Sequence, residues 1–148
     1  GPIDVAVFNA GAHFRGSIVD TPAATFEEVW RLACYAGFLF GREAARRMLP
    51  RSKGTILFTG ATASVRGSAN FAAFAAAKGG LRQVAQSMAR ELGPKGIHVA
   101  HVVIDGRIGS GHDMLATDAI AELYWQLHAQ PRSAWTFEAD LRPFAEKF

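Results

Sequence analysis

Residues 3–11 read IDVAVFNAG, a short and almost wholly apolar run that ends in a turn of small residues. A run of this length, rich in β-branched side chains and closed by Asn-Ala-Gly, is typical of a buried strand that leads into a tight turn. Two later runs have the same character, Thr55 to Thr59 behind Gly54 and Ile97 to Ile104. The sequence therefore predicts three buried strands in these places.

Helical patterns fill the stretches between the strands. Thr25 to Glu28 has the form of a capping box, and the apolar spacing from Phe26 to Leu49 is helical until a proline follows. The alanine-rich segment from Asn70 to Leu92 has high helix propensity and closes at Gly93-Pro94. Its weak point is Gly79-Gly80, because glycine disfavours the helix interior.

After the third strand, the chain predicts a glycine-rich loop, a helix from Asp118 to His128 and a last strand from Ala134 to Leu141. Strand and helix thus alternate, which indicates an α/β fold with a doubly wound parallel sheet and right-handed helical crossovers. Neither an internal repeat nor a low-complexity linker is visible, so we expect one domain over residues 1–148.

Ligands of such sheets lie beyond the carboxyl ends of the strands. Three segments follow predicted strands and are rich in glycine or small polar residues: 9–14, 60–67 and 105–113. We therefore expect the functional site among these three segments.

Composition narrows the class of protein. With 148 residues, 49% of them hydrophobic and 20% charged, the chain suits one soluble globular domain with a sizeable core. A net charge of +3 with scattered basic residues predicts no nucleic-acid surface. The longest strongly apolar run, Leu32 to Phe40, is too short to span a bilayer, and no signal peptide is visible. These features predict a cytoplasmic protein that does not associate with membranes.

Metal binding and disulfide formation are not expected either. Cys34 is the one cysteine, so it has no partner for an internal disulfide and is expected in the core. The histidines do not have metal-ligand spacing with any carboxylate pair. His98 and His101 are expected on opposite faces of their strand, because side chains alternate along it.

Phe74 and Lys78 lie four residues apart in the predicted long helix and so share one helix face. Taken alone, an aromatic residue followed by lysine at this spacing is more often a solvated helix face than a site. The sequence around it changes that assessment.

Five stretches resemble signatures of the short-chain dehydrogenase/reductase family, in the order and with the gaps found there. VFNAG (7–11) is similar to the family's Asn-Asn-Ala-Gly turn after its fourth strand, with Phe8 in place of the first asparagine. GTILFTG (54–60) resembles the fifth strand, and FAAAK (74–78) resembles the Tyr-x-x-x-Lys helix. RELGPKGIHV (90–99) resembles the link into strand six, and Asp105-Gly106 stands where Pro-Gly is usual.

The resemblance implies a Rossmann-like doubly wound sheet that begins at the family's fourth strand and lacks its first three. It implies a nicotinamide cofactor, NAD or NADP, a small carbonyl or alcohol substrate, and a homodimer or homotetramer. The residues that it assigns to cofactor binding are Asn9, Ala10, Gly11, Lys78, Gly106, Ile108 and Ser110.

The departures from the family pattern concern proton chemistry. The catalytic tyrosine is replaced by Phe74, the serine thirteen residues before it by Ala61, and the asparagine of the preceding helix by Ala33. Of the family's four proton-handling groups, Lys78 alone remains. Thr59, Thr62 and Ser64 flank the serine position, so one of them could replace it or could simply satisfy turn backbone.

The family's glycine-rich phosphate turn, Thr-Gly-x-x-x-Gly-x-Gly, has no counterpart in these residues. We expect the chain to be a fragment of a longer polypeptide, with a deletion or seam at residues 105–113. Two hypotheses remain open. One is a divergent oxidoreductase with weak or no turnover, and the other is a non-catalytic relative that binds cofactor or forms oligomers.

Overall fold

The computed structural model describes residues 1–148 and contains a four-stranded parallel sheet. The strands are β1 (Val5–Phe8), β2 (Gly54–Ala61), β3 (Ile97–Ile104) and β4 (Glu138–Leu141). The helices are α1 (Ala23–Trp30), α2 (Ala36–Met48), α3 (Ala72–Leu92) and α4 (Thr117–Ala129), with a π-helical segment, Arg31–Tyr35, between α1 and α2. Short 3-10 turns cover Leu49–Arg51, Thr62–Ser64, Gly93–Lys95 and Arg132–Ala134. Strand order follows chain order, so the predicted α/β alternation is confirmed.

Helices cover both faces of the sheet. On one face, α2 and α3 pack on β1, β2 and β3 around a core that includes Phe8, Met48, Ile56, Phe58, Leu81 and Ile97. On the other face, α4 packs on β2 and β3 through Leu57, Ala100, Val102 and Leu127. Because β2 and β3 are buried on both faces, most of their residues are apolar without alternation, and polar residues such as Thr55, His98 and His101 are buried as well.

The first helix begins earlier than the capping-box pattern predicts. Helix α1 starts at Ala23 with Pro22 as its N-cap, and no side chain caps it, so the prediction of a cap at Thr25 is wrong. Pro22 enters the helix from an extended conformation with φ −64° and ψ 138°. The fixed φ of proline suits this position, and it leaves Thr25 within the first turn.

The predicted helical stretch from Phe26 to Leu49 is confirmed, although residues 31–35 are π-helical rather than α-helical. Helix α3 runs without interruption through Gly79 and Gly80, the weak point of the predicted helix. A Cβ at Gly80 would lie 2.8 Å from the Sγ of Cys34, which is buried as predicted. The glycine therefore permits a close approach of α3 to the π-helical segment.

The last strand is shorter than predicted. It pairs with β3 only from Glu138 onward, and residues 132–134 form a 3-10 turn instead. Trp135 stacks on the His98 ring, with centroids 4.9 Å apart, and the Nε1 of Trp135 donates to the carbonyl of Gln130. These side-chain contacts hold residues 135 and 136 where a ladder was expected. No helix is long and apolar enough to cross a membrane.

Candidate active site

The loops beyond the carboxyl ends of β1, β2 and β3 surround a cavity of about 520 Å³. Its walls come from the three segments that the sequence singles out and from the first turns of α3. The lining residues are Asn9, Ala10, Gly11, Ala12, His13, Thr59, Gly60, Ala61, Thr62, Ala63, Arg66, Ser68, Phe71, Phe74, Lys78, Ile104, Gly106 and Ile108. The site thus lies outside the carboxyl ends of the strands, where open α/β folds bind ligands.

Lys78 reaches the cavity from α3 and is 7% exposed. Its Nζ donates to the carbonyl oxygen of Thr59 at 3.0 Å and makes no ion pair with a carboxylate. A Cβ at Gly11 would lie 3.4 Å from the Nζ, so the glycine leaves space beside the amine. Burial lowers the pKa of the Lys78 ammonium below its ordinary value of 10.5. Two N–H groups of the ammonium remain available to a ligand.

Phe74 lies one turn before Lys78 on α3 and lines the same cavity. The ring of His13 packs edge-on against it, with centroids 4.9 Å apart. Ala61 ends β2 and also lines the cavity. Neither side chain offers a proton, so this wall is apolar where the family resemblance implies two hydroxyls.

Ala33 lies in the π-helical segment and is fully buried. It packs with Ala73 and Ala77 of α3, and its Cβ would be 3.9 Å from a Cβ at Gly11. It does not line the cavity. π-Helical segments are frequent at functional sites, and this one places residue 33 directly behind the Asn-Ala-Gly turn.

The hydroxyls near the serine position all have protein partners. Thr59 Oγ1 is 2.6 Å from the hydroxyl of Tyr124, and Thr62 Oγ1 donates to Asp105. Ser64 is buried, and its Oγ accepts from the backbone N–H of Ala61 at 3.0 Å. In this arrangement each of the three satisfies the protein, which is the alternative that turn chemistry favours.

Asp105, where the family has proline, joins three parts of the chain. Its backbone N–H donates to the Leu141 carbonyl at 2.8 Å, and its carboxylate accepts from Thr62 and from Arg142 Nε, the latter at 3.1 Å. Burial raises the pKa of Asp105, but the hydrogen bonds from Thr62 and Arg142 outweigh it, and the pKa lies below 3.8. A proline could not make the bond to Leu141.

The remaining residues assigned to cofactor binding divide into two groups. Asn9, Ala10, Gly11, Gly106 and Ile108 line the cavity together with Lys78, whereas the exposed Ser110 lies outside it.

A second buried cluster lies below the cavity floor. His101 is fully buried, and its Nδ1 is 3.0 Å from Glu138, which also accepts two bonds from Arg82. The Nε2 of His101 has no protein partner and faces Gly60, where a Cβ would collide with the ring. Burial lowers the pKa of His101 despite the carboxylate beside it. This ring is therefore neutral, with Nδ1 as the donor to Glu138.

Four further polar and aromatic residues that line the cavity were not predicted from the sequence. They are His13, Arg66, Ser68 and Phe71. Their one signal is position, since His13 and Arg66 lie within segments that follow predicted strands. A loop arginine has no pattern that separates a ligand contact from a solvated charge.

The family model for short chain dehydrogenases matches residues 1–113. A crystal structure of a short-chain dehydrogenase from Rhodopseudomonas palustris is 54% identical, with a TM-score of 0.88, over 97% of this chain and 64% of that one. A metagenomic short-chain oxidoreductase in complex with NADP is 28% identical, with a TM-score of 0.82, over 97% of this chain and 63% of that one.

Among curated proteins, the chain is 34% identical to "Inactive 2-(S)-hydroxypropyl-CoM dehydrogenase 2" of Xanthobacter autotrophicus. That match extends over 126 residues, which are 83% of this chain and 54% of the relative. The chain spans about half the length of the curated relatives that it matches.

Proposed function

Because the chain belongs to the short-chain dehydrogenase family of oxidoreductases, we propose that its cavity is the nicotinamide side of an NAD(P) site. The observation that carries the proposal is the buried amine of Lys78, which faces the cavity beside Gly11 with one protein acceptor. Burying an ammonium is costly unless a ligand or partner uses it. Ribose hydroxyls are acceptors of the required kind.

The residues present fit the nicotinamide riboside half of such a cofactor. Lys78 would hold the ribose hydroxyls, and the small residues Ala10 and Gly11 leave the backbone open to a ligand. Backbone groups near Gly106 and Ile108 line the same cavity. When bound, the cofactor supplies or accepts a hydride. Residues 1–148 contain no glycine-rich phosphate turn, so they do not include the family's usual binding element for the adenosine half of the cofactor.

We propose further that the reaction, on a carbonyl or alcohol, has weak or no turnover at this site. The positions of the family's tyrosine, serine and asparagine are occupied here by Phe74, Ala61 and Ala33. None of these three side chains can donate, accept or relay a proton. Loss of a general acid typically costs about 10²–10⁴ in rate, and loss of an oxyanion donor a further factor of about 10²–10³.

A second candidate is a non-catalytic protein that binds the cofactor or forms oligomers. The observation that favours it is that the three hydroxyls flanking the serine position, those of Thr59, Thr62 and Ser64, all have hydrogen-bond partners within the protein. In both cases residues 1–148 would form part of one Rossmann-like domain in a cytoplasmic homodimer or homotetramer, with no nucleic-acid partner.

Two measurements test these proposals. Titration of NADH and NADPH by fluorescence should show binding that Lys78→Met abolishes, and equal binding by this variant would contradict the site assignment. The double variant Ala61→Ser with Phe74→Tyr should then raise reduction of a panel of carbonyl compounds. The matched control Ala63→Ser with Phe71→Tyr adds the same hydroxyls elsewhere in the cavity and should give no gain. No gain from the first pair would favour the non-catalytic candidate.

A further inference from the structure

The cavity has an unbalanced charge. Among its lining residues the charged side chains are Arg66 and Lys78, together with the titratable His13, and no aspartate or glutamate lines it. Lys78 comes from α3 and lies beside Gly11, whereas Arg66 follows the 3-10 turn that leaves β2. The two cations therefore belong to different parts of the cavity wall.

Arg66 has a fixed backbone and a free side chain. Its N–H donates to the carbonyl of Thr62 at 3.0 Å, which anchors the Cα in the turn after β2. Its guanidinium makes no ion pair and no side-chain hydrogen bond, unlike Arg82 and Arg142, which are both paired with carboxylates. An arginine fork that lines a cavity without a protein acid is suited to an acid from the ligand.

Two carboxylates lie near the cavity, and the charge of Arg66 acts on one of them, since it contributes to lowering the pKa of Asp105. Asp105 accepts from Thr62 and Arg142, and Glu146 lies 3.5 Å from where a Cβ of Gly106 would be. Neither acid lines the cavity. An anion that enters therefore meets no lining side chain of like charge.

Several other side chains that line the cavity are apolar. Phe71 and Phe74 line the cavity and are partly exposed. Ile108, on the loop after β3, also lines it and is 55% exposed. Arg15 lies over the Phe71 ring, 5.8 Å from its centroid, and adds a second unpaired cation beside this wall. A flat or branched apolar group would cover these side chains, and it would gain the free energy of burying them.

We propose that the cavity binds a small organic acid, with its carboxylate on Arg66 and an aromatic or branched apolar group against Phe71 and Phe74. This names the substrate class of the site described above and rests on the proposed function in that respect. A carboxylate matches the planar guanidinium through two parallel hydrogen bonds.

The test uses cofactor-free purified protein and three probes: phenylacetate, its uncharged match phenylacetamide, and acetate. Saturation-transfer NMR and calorimetric titration should detect phenylacetate, with the amide and acetate each weaker by at least about tenfold, because each lacks one half of the recognition. Arg66→Ala should weaken phenylacetate by at least about tenfold. The control Arg90→Ala removes an exposed arginine from α3 far along the helix and should change Kd by less than about twofold.

Equal binding of phenylacetate and its amide, or unchanged binding to the Arg66→Ala variant with a native circular dichroism spectrum, would overturn the inference. Lys78→Met separates it from the proposed function. If that variant still binds phenylacetate while losing NADH, the anion site at Arg66 and the nicotinamide site at Lys78 are distinct. If it loses phenylacetate while Arg66→Ala retains it, the acid binds at the lysine and the inference is wrong.

Discussion

The Nζ of Lys78 lies 3.0 Å from the carbonyl oxygen of Thr59, and this is the only hydrogen bond that the buried amine makes to the protein. Burial lowers the pKa of Lys78, so the folded state disfavours the charged form relative to the unfolded chain. The unfolded chain therefore binds this proton more tightly, and the lysine weakens folding at every pH below about 10.

Replacing Lys78 by methionine should raise the free energy of unfolding by about 1 kcal/mol at pH 7, because an apolar chain of similar length removes the buried charge. The gain should shrink as the pH approaches 10, where the wild-type amine loses its proton. Urea denaturation at pH 7 and pH 9.5 measures both effects. Lys95→Met, on the exposed end of the same region, is the control and should have no pH-dependent gain. A loss of stability at pH 7 would show that the amine stabilises the fold.

The buried His101 and Glu138 predict a stability that depends on pH. The pKa of His101 is lowered by burial, so below about pH 6.5 the unfolded chain takes up a proton that the folded chain refuses. Stability should therefore be full above pH 6.5 and fall as the pH drops toward 5. Glu138 adds a later loss below about pH 4.5, because Arg82 holds its pKa low.

His101→Asn should flatten the part of this profile between pH 7 and pH 5, since the asparagine amide can still donate to Glu138 and does not titrate. Its stability at pH 7 should be lower than that of wild type, because the smaller side chain leaves a void. Guanidinium melts at half-unit pH intervals make the comparison. His112→Asn, at an exposed position, should keep the wild-type slope. An unchanged slope in His101→Asn would place the acid sensitivity elsewhere.

The central strands of this fold can be predicted from the sequence for a physical reason. β2 and β3 are covered by helices on both faces, so Ile56 to Phe58 and most of Val99 to Val103 are apolar without alternation, and the one polar residue among them, His101, is fully buried. The start of β4 could not be predicted from the sequence. Trp135 stacks on His98, and the backbone N–H of Thr136 donates to the side chain of Gln130, and no local sequence pattern encodes these contacts.

The site was readable only in part. The cavity-lining segment that begins at Asn9 could be predicted, since it follows a buried strand, whereas Lys78 became a candidate through the family resemblance and not through helix spacing alone. The engagement of Thr62 by Asp105 could not, because the two residues are 43 positions apart and meet only in the folded chain. Arg66 was missed for another reason. Its availability to a ligand depends on whether a carboxylate lies within ion-pair distance, which is a property of the folded surroundings; the charge of Arg66 acts on Asp105 without pairing with it.

Asp105→Pro, which introduces the residue usual in the family, should destabilise this protein. It removes the N–H bond to Leu141 as well as the carboxylate that holds Thr62 and Arg142. We expect a fall in Tm of about 5 °C or more. Asp105→Asn keeps the N–H and should cost less. A proline variant as stable as the asparagine variant would show that the Leu141 bond contributes nothing.

Gly60 and His101 form the last testable pair. A Cβ at residue 60 would overlap the His101 imidazole and lie 2.8 Å from Ser64 Oγ. Gly60→Ala should therefore cost about 1–3 kcal/mol in unfolding free energy through overpacking. His101→Ala alone should also destabilise, because it leaves a cavity and removes one of the three hydrogen bonds to the Glu138 carboxylate.

The double variant of Gly60 and His101 to alanine distinguishes steric overlap from a general effect on β2. Removing the imidazole makes room for the new methyl group. The double variant should therefore lose less unfolding free energy than the sum of the two single losses, by about 1 kcal/mol or more. Urea melts of the four proteins in the cycle give this coupling directly. Gly67→Ala, where a Cβ would only touch Ala75 at 4.0 Å, is the matched control and should be close to neutral. Strict additivity at residues 60 and 101 would mean that the floor of the cavity yields to the methyl group, and that the neutral ring is not held in place by the glycine.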